Sequence, residues 1–371
     1  MRGPSDHQQS MFIVFNIEER VPADHPLRQI KQQCDVIFGR LRRDFNAAYS
    51  HTGRPSIPPE QLLKAMLLQS LYSIRSEIQL MQAIDFNLLY RWFIDLPPDR
   101  PVWVPETFSV NRQRFHEHGL VQKFFDQLVH DAIAGNLVSS DHFSADGTLI
   151  RSWASVKSLA PRNGEREVDD DDPGNPTVNY RQQQFKNDTH VSRTDPEARL
   201  MKKGKGQAAY LSHSGHVLME NRHGLCLAVG VDAADGKAER KVLKQLLQRA
   251  KRRHRLRPRT LGLDAGYGDG AFLLELEALQ IKPHAALKHD KITDTSPAGQ
   301  ARRRAQRRRR TAGYQISQRV RKRVEEIFGW MKTIGGLART KYVGRWKIQL
   351  QMLMSATAYN LLRMARLKPT P

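Results

Sequence analysis

Cysteine is scarce in this chain of 371 residues, which has only Cys34 and Cys226. Neither belongs to a Cys-x-x-Cys pair, so no zinc site of the usual spacing is predicted. Both are expected to be small buried side chains rather than halves of a disulfide. Long apolar runs are also missing. No stretch approaches the roughly 18–20 apolar residues of a membrane span, and the N-terminus has no charged-then-apolar signal pattern. We therefore expect a cytoplasmic protein without a membrane segment.

Negative charge is nearly absent from the last part of the chain. Residues 301–371 hold 19 Lys and Arg but two acids, Glu325 and Glu326, and the whole chain has a formal net charge of +22. A charge of this size does not specify a fold, but it favours a polyanionic partner. Nucleic acid is the first expectation. An acidic membrane surface is the second, and no polybasic stretch lies beside a long apolar run.

The first 135 residues have the pattern of a helical domain. Four segments place apolar residues at helical spacing between proline, capping or glycine boundaries. They are residues 58–74, 76–96, 105–119 and 120–135. Short helices with short loops indicate a compact helical unit. Arg112 and Arg114 lie in the third segment and are expected on its exposed face.

From residue 136 to 371 the pattern indicates a mixed-sheet domain. Strands are predicted over residues 142–153, twice within 209–236, at 259–264 and over 282–288; helices are predicted over 237–253, 271–281, about 315–335 and 348–367. Two segments, about 161–208 and about 291–312, are predicted to be flexible excursions. The first carries four consecutive aspartates followed by prolines and glutamines, and the second runs into a cluster of arginines.

Three carboxylates stand where such a domain places functional groups. Asp146 lies on the first predicted strand, although Asp-Gly is also a hairpin signal. Asp264 follows a short apolar strand, although Asp before glycine is common in turns. Glu325 lies on a late helix between Arg321 and Lys332, although such spacing also suits a solvated ion pair. Together, three carboxylates can hold two divalent cations about 3.5–4 Å apart, which suits phosphodiester cleavage.

Several ordered sequence blocks carry a family resemblance. In the first part they are "GRPSIPPEQLLKAMLLQSLYSIRSEIQLMQAIDFNLLYRWFIDL" (53–96) and "VWVPETFSVNRQRF" (102–115). Later come "FSADGTLIRSWAS" (143–155), "TDPEARLMKKGKG" (194–206), "LGLDAGYGD" (261–269) and "RKRVEEIFGWMKTIGGLARTKYVG" (321–344). In this order they resemble bacterial insertion-sequence transposases of the insertion-sequence-five family, which is related to the insertion-sequence-four group. The resemblance covers most of the chain.

The resemblance implies a ribonuclease-H-like catalytic domain with a DDE triad. Asp146, Asp264 and Glu325 match its three carboxylates, so each would be both a catalytic residue and a metal ligand. Mg²⁺ is the implied cofactor, with Mn²⁺ as the alternative and two ions expected.

A second family pattern surrounds the glutamate. Tyr-x2-Arg-x3-Glu-x6-Lys aligns Arg321, Glu325 and Lys332, with Gln318 where its tyrosine would be. The flanking cations would hold phosphate, and Glu326 would be a bystander.

The implied activity is DNA transposition. The enzyme would cleave hydrolytically at the element ends and transfer the freed 3′-hydroxyl into target DNA. The implied partners are terminal inverted repeats and target DNA, with a homodimer in the DNA complex. The helical part, residues 1–135, would be a DNA-end-binding domain, and a domain for packing or dimerisation is the alternative. The implied location is the bacterial cytoplasm, on the nucleoid when DNA is bound. A catalytically inactive DNA-binding relic and a plain nuclease of the same fold are the alternatives.

Basic residues are the candidates for DNA contact. They are Arg321, Lys332, Arg112, Arg114, Arg307, Arg308, Arg309 and Arg310. The arginine run at 302–310 contains no large apolar residue and has no acid nearby in sequence. It is therefore expected to be disordered without DNA and to add sequence-independent affinity.

Overall fold

The computed structural model describes residues 16–367, apart from residues 51, 54, 163–184, 203, 205, 206, 237, 289 and 290. Its first part is helical, as predicted. The helices are α1 (Ile17–Arg20), α2 (Pro26–Ala48), α3 (Pro59–Leu71), α4 (Glu77–Phe86), α5 (Leu88–Phe93), α6 (Glu106–Glu117) and α7 (Leu120–Ala134). No helix within the described ranges is both long and apolar enough to cross a membrane.

Helix α2 shows how these sequences form packed helices. His25 caps its first turn and Pro26 occupies the first helical position, where the missing amide hydrogen costs nothing. Its buried positions recur at helical spacing, from Leu27 through Cys34 to Phe45. Cys34 and Cys226 are both buried and free, as the sequence predicted.

The rest of the chain builds a mixed sheet. The strands are β1 (His142–Arg151), β2 (Leu159–Pro161), β3 (His190–Ser192), β4 (Arg199–Met201), β5 (Tyr210–Glu220), β6 (Cys226–Ala233), β7 (Thr260–Leu263) and β8 (Lys282–Ala285). The main sheet has the order β4–β5–β1–β7–β8, and β6 pairs with β5 on the edge that β4 also uses. Strand β1 is antiparallel to β5 and parallel to β7, and β7 is parallel to β8. Strands β2 and β3 form a separate ladder.

Helices cover both faces of the sheet. They are α8 (Ala238–His254), α9 (Gly270–Ala278), α10 (Pro297–Arg308), α11 (Ala312–Arg321), α12 (Arg323–Thr333) and α13 (Arg345–Leu367). A Cβ on Gly230 of β6 would lie 2.8 Å from Val242 of α8, whereas a Cβ on Gly215 of β5 would lie 3.3 Å from the sulfur of Met352 of α13. These glycines point to opposite faces, so α8 and α13 lie on opposite sides.

Helix α13 joins the two parts of the molecule. It packs against β6 and α12, and also against α2, α3, α6 and α7 of the N-terminal part. One hydrophobic cluster accordingly runs from Val21 to Met364. The predicted boundary at residue 135 separates the helical part from the sheet. The two parts nevertheless share one hydrophobic core.

The second predicted excursion, over about 291–312, is wrong for residues 297–308, which form helix α10. Ser296 caps α10 and Pro297 starts it. Ala301 and Ala305 are buried, and α10 packs closely on α9. The expectation failed because alanines are small enough to bring two helices together without a large apolar residue.

The arginine run is also ordered because an acid reaches it from elsewhere in the chain. Glu277 of α9 accepts hydrogen bonds from Arg304 at 2.6 Å and from Arg308 at 2.7 Å. The sequence reasoning looked for a partner nearby in sequence and missed one that the fold brings in.

The first predicted excursion is wrong in its described parts. Strands β3 and β4 lie within it, and β4 pairs with β5. Ser152 and His213 both hydrogen-bond the buried carboxylate of Asp195, which fixes this segment to the sheet. Residues 163–184 of that excursion lie outside the described residues.

Candidate active site

Asp146 lies in the interior of a continuous strand and not at a hairpin tip. Strand β1 runs straight through it, and Asp146 pairs with Val217 of β5. On its other edge β1 pairs with β7, with Ser144 opposite Gly262. Asp146 and Asp264 each follow this last pair by two residues, so the register, continued past the end of β7, would set them about 4.8 Å apart. The charge of Asp264 accordingly raises the pKa of Asp146.

Asp264 ends β7 and begins a tight turn. Its carboxylate accepts a hydrogen bond of 2.9 Å from the amide of Gly266 and so caps the short 3-10 turn over residues 265–267. The turn interpretation of this residue is thus confirmed, and the functional one stays a prediction that the turn does not contradict. The turn reverses the chain away from the sheet and leaves the Asp264 carboxylate at the strand edge.

Glu325 lies exposed in the first turn of α12, on the far side of a helix break from Arg321. The predicted continuous helix over about 315–335 ends at Arg321 and restarts at Arg323. Arg321 Nη1 lies 3.5 Å from Asp146 Oδ2. No ion pair between Arg321 and Glu325 is found in the described part of the chain, so the i, i+4 pairing considered from sequence does not form.

The electrostatics of Asp146 show that the charges of Asp264 and Glu325 reach its carboxylate. Burial raises the pKa of Asp146 to about 6, against the effect of a hydrogen bond from the Gly147 amide. The negative charges of Asp264 and Glu325 raise this pKa further, and Arg321 lowers it. The site therefore holds more negative charge than its one close cation balances.

The three side chains are not gathered into a finished ligand set. Across the described residues, no three His, Cys, Asp or Glu side chains are arranged to hold one metal ion. Asp146 is positioned by backbone pairing and Asp264 by the turn that it caps, whereas Glu325 lies at the exposed start of a helix.

Glu239 is a fourth carboxylate at this place, and the sequence reasoning missed it. It lies in the first turn of α8, on the face of the sheet opposite α13. A Cβ on Gly266 would lie 3.1 Å from Glu239 Oε2, and a Cβ on Gly147 would lie 3.7 Å from Oε1. Burial, then Asp264 and Asp146, raise its pKa. The signal in the sequence that could have indicated Glu239 was its position at the start of a helix that follows a strand.

Gln318 takes a defined place next to the site. Its side-chain amide donates to the backbone oxygens of Leu263 and His284, at the ends of β7 and β8. Gln318, which stands where the family pattern has tyrosine, thus links the two strands beside Asp264 by hydrogen bonds.

The expectation that Arg112 lies on an exposed helix face is wrong. Arg112 is buried, pairs with Glu77 at 2.7 Å, and stacks over the ring of Tyr342 at 4.6 Å. Arg114 is half-buried over the ring of Tyr49. Helix α6 turns this side toward other helices because Phe108 and Phe115 on it are buried too.

The remaining cationic candidates lie elsewhere on the molecule. Lys332 lines a groove beyond the far end of α12. Arg307 and Arg310 are exposed at the end of α10, whereas Arg308 and Arg309 are half-buried.

Two family models match this chain. One, described as a transposase domain (DUF772), covers residues 15–114, and the other, described as a transposase DDE domain, covers residues 183–361. The chain belongs to the DDE transposases. The second match contains Asp264 and Glu325, and Asp146 lies between the two matches. No curated protein matches the sequence significantly.

The family confirms the main functional prediction: this transposase is an enzyme that acts on DNA. An inactive DNA-binding relic and a plain nuclease are not favoured. Enzymes of this family generally use divalent metal ions. The matches identify a transposase of insertion-sequence type without confirming the insertion-sequence-five subfamily.

Solved structures show only a distant likeness. The Mos1 transposase paired-end complex with the left transposon end has a TM-score of 0.20 and 12% identity, and covers 73% of this chain and 81% of that one. The Mos1 mariner paired-end complex with Mn has a TM-score of 0.21 and 12% identity, and covers 84% and 88%. A likeness at this level is too weak to carry an argument.

Proposed function

We propose that the transposase cleaves the phosphodiester bonds at the ends of its DNA element and joins the freed 3′-hydroxyl to target DNA. Asp146, Asp264 and Glu325 are its catalytic carboxylates in this proposal. The observation that carries it is the parallel pairing of β1 with β7, whose last pair, Ser144 and Gly262, lies two residues before Asp146 and Asp264. The charges of Asp264 and Glu325 both raise the pKa of Asp146.

The sheet topology fits the ribonuclease-H-like fold that the sequence resemblance implies. Strands β6, β5 and β1 run antiparallel, and β1, β7 and β8 run parallel. This arrangement puts the first aspartate on the central strand and the second on its parallel neighbour. The glutamate comes from a helix on one face.

The donor set fits two Mg²⁺ ions, with Mn²⁺ as the alternative. Carboxylate oxygens are the ligands that Mg²⁺ prefers, and the uncompensated negative charge around Asp146 is what a divalent cation would balance. When bound, such ions supply an activated attacking oxygen and stabilise the leaving oxygen. Asp146 and Asp264 form the fixed part of the site. Glu325 completes it from a side chain that is free to turn.

The same assignment of the carboxylates implies which DNA molecules the enzyme binds. Terminal inverted repeats and target DNA would both have to reach the carboxylates, and two ends would be held by a homodimer in the DNA complex. Arg321 beside Asp146 and Lys332 further along α12 are placed to contact phosphate on either side of the cut. Arg307 and Arg310 would add salt-dependent, sequence-independent affinity, with the log–log salt slope reduced by about 0.9 for each phosphate contact removed.

The neighbouring residues Glu325 and Glu326 provide a test of the proposed catalytic carboxylates. We expect Glu325→Gln to lower cleavage and strand transfer by more than about a hundredfold. Loss of a residue that only supports a metal ligand costs up to about a hundredfold, and Glu325 is proposed as a ligand itself. DNA binding should persist, because the amide keeps the size of the side chain. Glu326→Gln is the matched control and should retain most activity, since Glu326 forms its own ion pair with Arg363, at 4.0 Å.

The assay should follow a labelled element-end oligonucleotide with Mg²⁺, scoring nicked and strand-transfer products separately. Equal loss from the two substitutions would contradict the assignment of Glu325. Nicking without strand transfer in the unsubstituted enzyme would favour a plain nuclease, and binding without nicking would favour a relic.

A further inference from the structure

A positively charged groove lies between α3 and the segment that joins α12 to α13. Its volume is about 600 Å³. Six of its lining residues are cationic, and none of those described is Asp or Glu. The cations are Arg75, Arg112, Lys332, Arg339, Lys341 and Lys347. Glu77 lies behind the lining, where it pairs with Arg112. Such a surface fits an anion that brings several charges at once.

An exposed aromatic ring forms one wall of the groove. Trp153 is 55% exposed, which is unusual for the side chain with the largest apolar surface. The guanidinium of Arg339 lies 5.1 Å from the centre of its ring and donates a 2.9 Å hydrogen bond to the Trp153 carbonyl. An exposed indole backed by an arginine is a platform on which a nucleobase can stack.

The fold fixes this wall to the strand that carries Asp146. Arg151, at the end of β1, bridges to Arg339, and the amide of Thr340 donates a 2.9 Å hydrogen bond to the Arg151 carbonyl. The segment after α12 therefore continues the edge of the sheet at this end. Trp153, two residues beyond β1, is held against it.

A polar donor inside the groove lacks an acceptor. The Nε2 of Gln69 is buried and has no hydrogen-bond partner among the described residues. The Nζ of Lys341 is also buried, and it forms an ion pair of 3.3 Å with Glu77 Oε1. Buried donors normally find an acceptor. Phosphate oxygens carried into the groove would supply it.

The groove lies close to the proposed cutting site. Lys332 follows Glu325 by seven residues on α12, so the two are separated by about 10 Å along the helix axis. At about 3.4 Å per nucleotide of one strand, that is about three nucleotide steps. A groove of this size accommodates a small ligand rather than a duplex.

We propose that this groove binds one unpaired nucleotide of the DNA strand whose scissile phosphate lies at the carboxylates. The base stacks on Trp153, and the phosphates beside it are held by Lys341 and the neighbouring lysines and arginines. The position of the groove relative to the cut rests on the proposed function. Binding of the nucleotide itself does not require catalysis.

The experiment separates stacking from charge. The full-length protein would be titrated, without metal, against a fluorescein-labelled thymidine oligonucleotide and against an abasic oligomer of the same length. Trp153→Ala should weaken binding of the thymidine oligonucleotide between about fivefold and a hundredfold, the range for losing one base–aromatic stack. It should leave binding of the abasic oligomer unchanged. Trp153→Phe should restore most of the loss.

Two further variants complete the design. Lys347→Ala should weaken both probes alike, because it removes charge and not a stacking surface. Phe86→Ala, an 84% exposed aromatic of the N-terminal part, is the control and should change neither.

The proposal is overturned if Trp153→Ala changes neither probe, weakens both equally, or weakens a duplex probe more than the thymidine oligonucleotide. The last result would assign the groove to duplex DNA. None of these outcomes touches the cleavage test on Glu325, so the two proposals can fail separately.

Discussion

Glu239 owes its close approach to Asp264 to the glycine at position 266. A Cβ there would lie 3.1 Å from Glu239 Oε2 and 3.2 Å from Asp264 Oδ1. At Gly147 a Cβ would make only an ordinary contact with Glu239, and its tight neighbour would be the ring of His216, at 3.1 Å. At both positions the need is for space, because neither has a positive φ.

The charge of Glu239 predicts an effect on metal affinity. We expect Glu239→Gln to raise the Mg²⁺ concentration needed for half-maximal cleavage by about ten- to a hundredfold, the range for residues that support metal ligands. Cleavage at saturating Mg²⁺ should recover most of its rate, since Asp146 and Asp264 remain. A Mg²⁺ titration of the nicking rate measures this.

Glu117→Gln, a change on the exposed end of α6, is the control for Glu239→Gln. If the titration curves of both variants overlay that of the unsubstituted enzyme, Glu239 has no part in the site.

Helix α10 depends on a single acid of another element. Burial alone would raise the pKa of Glu277, but hydrogen bonds from Arg304 and Arg308 outweigh it and lower the pKa. A carboxyl group with a lowered pKa in the folded state stabilises the protein above its unfolded pKa. That contribution is lost as the pH falls through the folded pKa. Lowering the pH should therefore destabilise α10 before it destabilises α9.

Glu277→Gln should loosen α10 at neutral pH in the same way. Losing two charge-assisted hydrogen bonds from half-exposed arginines should lower its local opening free energy by about 1–2 kcal/mol. Hydrogen exchange of the amides at 297–308 measures the effect. Glu275→Gln, two residues earlier, removes only a pair with Lys244 and should leave that exchange unchanged. Faster exchange in both variants would show that α9, and not Glu277, had been disturbed.

Elements were predictable from sequence where their signals are local. Periodicity and caps gave α3, α6 and α7, and alternation gave the strands from β5 to β8 to within a few residues. Helix α10 was missed because its anchors are two alanines and a glutamate distant in sequence. Asp146 and Asp264 could be proposed from the sequence because the family resemblance adds to their strand positions, since the local pattern alone also suits a hairpin and a turn. Glu239 was missed because its relation to them depends on which helix covers which face of the sheet.

At the scale of the whole molecule, α13 makes the helical part and the sheet one cooperative unit. Thirteen of its 23 residues are buried. They contact strand β6 on one side and the helices α2, α3 and α7 on the other. The predicted DNA-end-binding role of residues 1–135 stays a prediction. The structure argues for testing it in the full chain, because a fragment without α13 would expose these apolar faces.

A core truncation in α13 should destabilise both parts together. Leu361 is fully buried, and Leu361→Ala should cost about 2–5 kcal/mol. We expect one thermal transition at a lower temperature, with hydrogen exchange accelerated in α3 and in β5 alike. Leu279→Ala, at a residue that is 37% exposed, is the control and should cost much less. Two separate transitions, or exchange accelerated on one side only, would contradict a shared core.

The late position of α13 has a genetic consequence. A frameshift or stop codon that removes residues 345–367 would leave both the sheet and the N-terminal helices without a face to pack on. Such a product would be unfolded and degraded, and would not accumulate as a DNA-binding competitor of intact copies. A mutation that removes the end of the reading frame should thus be recessive to a full-length copy in the same cell. A substitution such as Asp264→Asn leaves the fold intact, so its product should compete with intact copies for DNA and the mutation should be dominant.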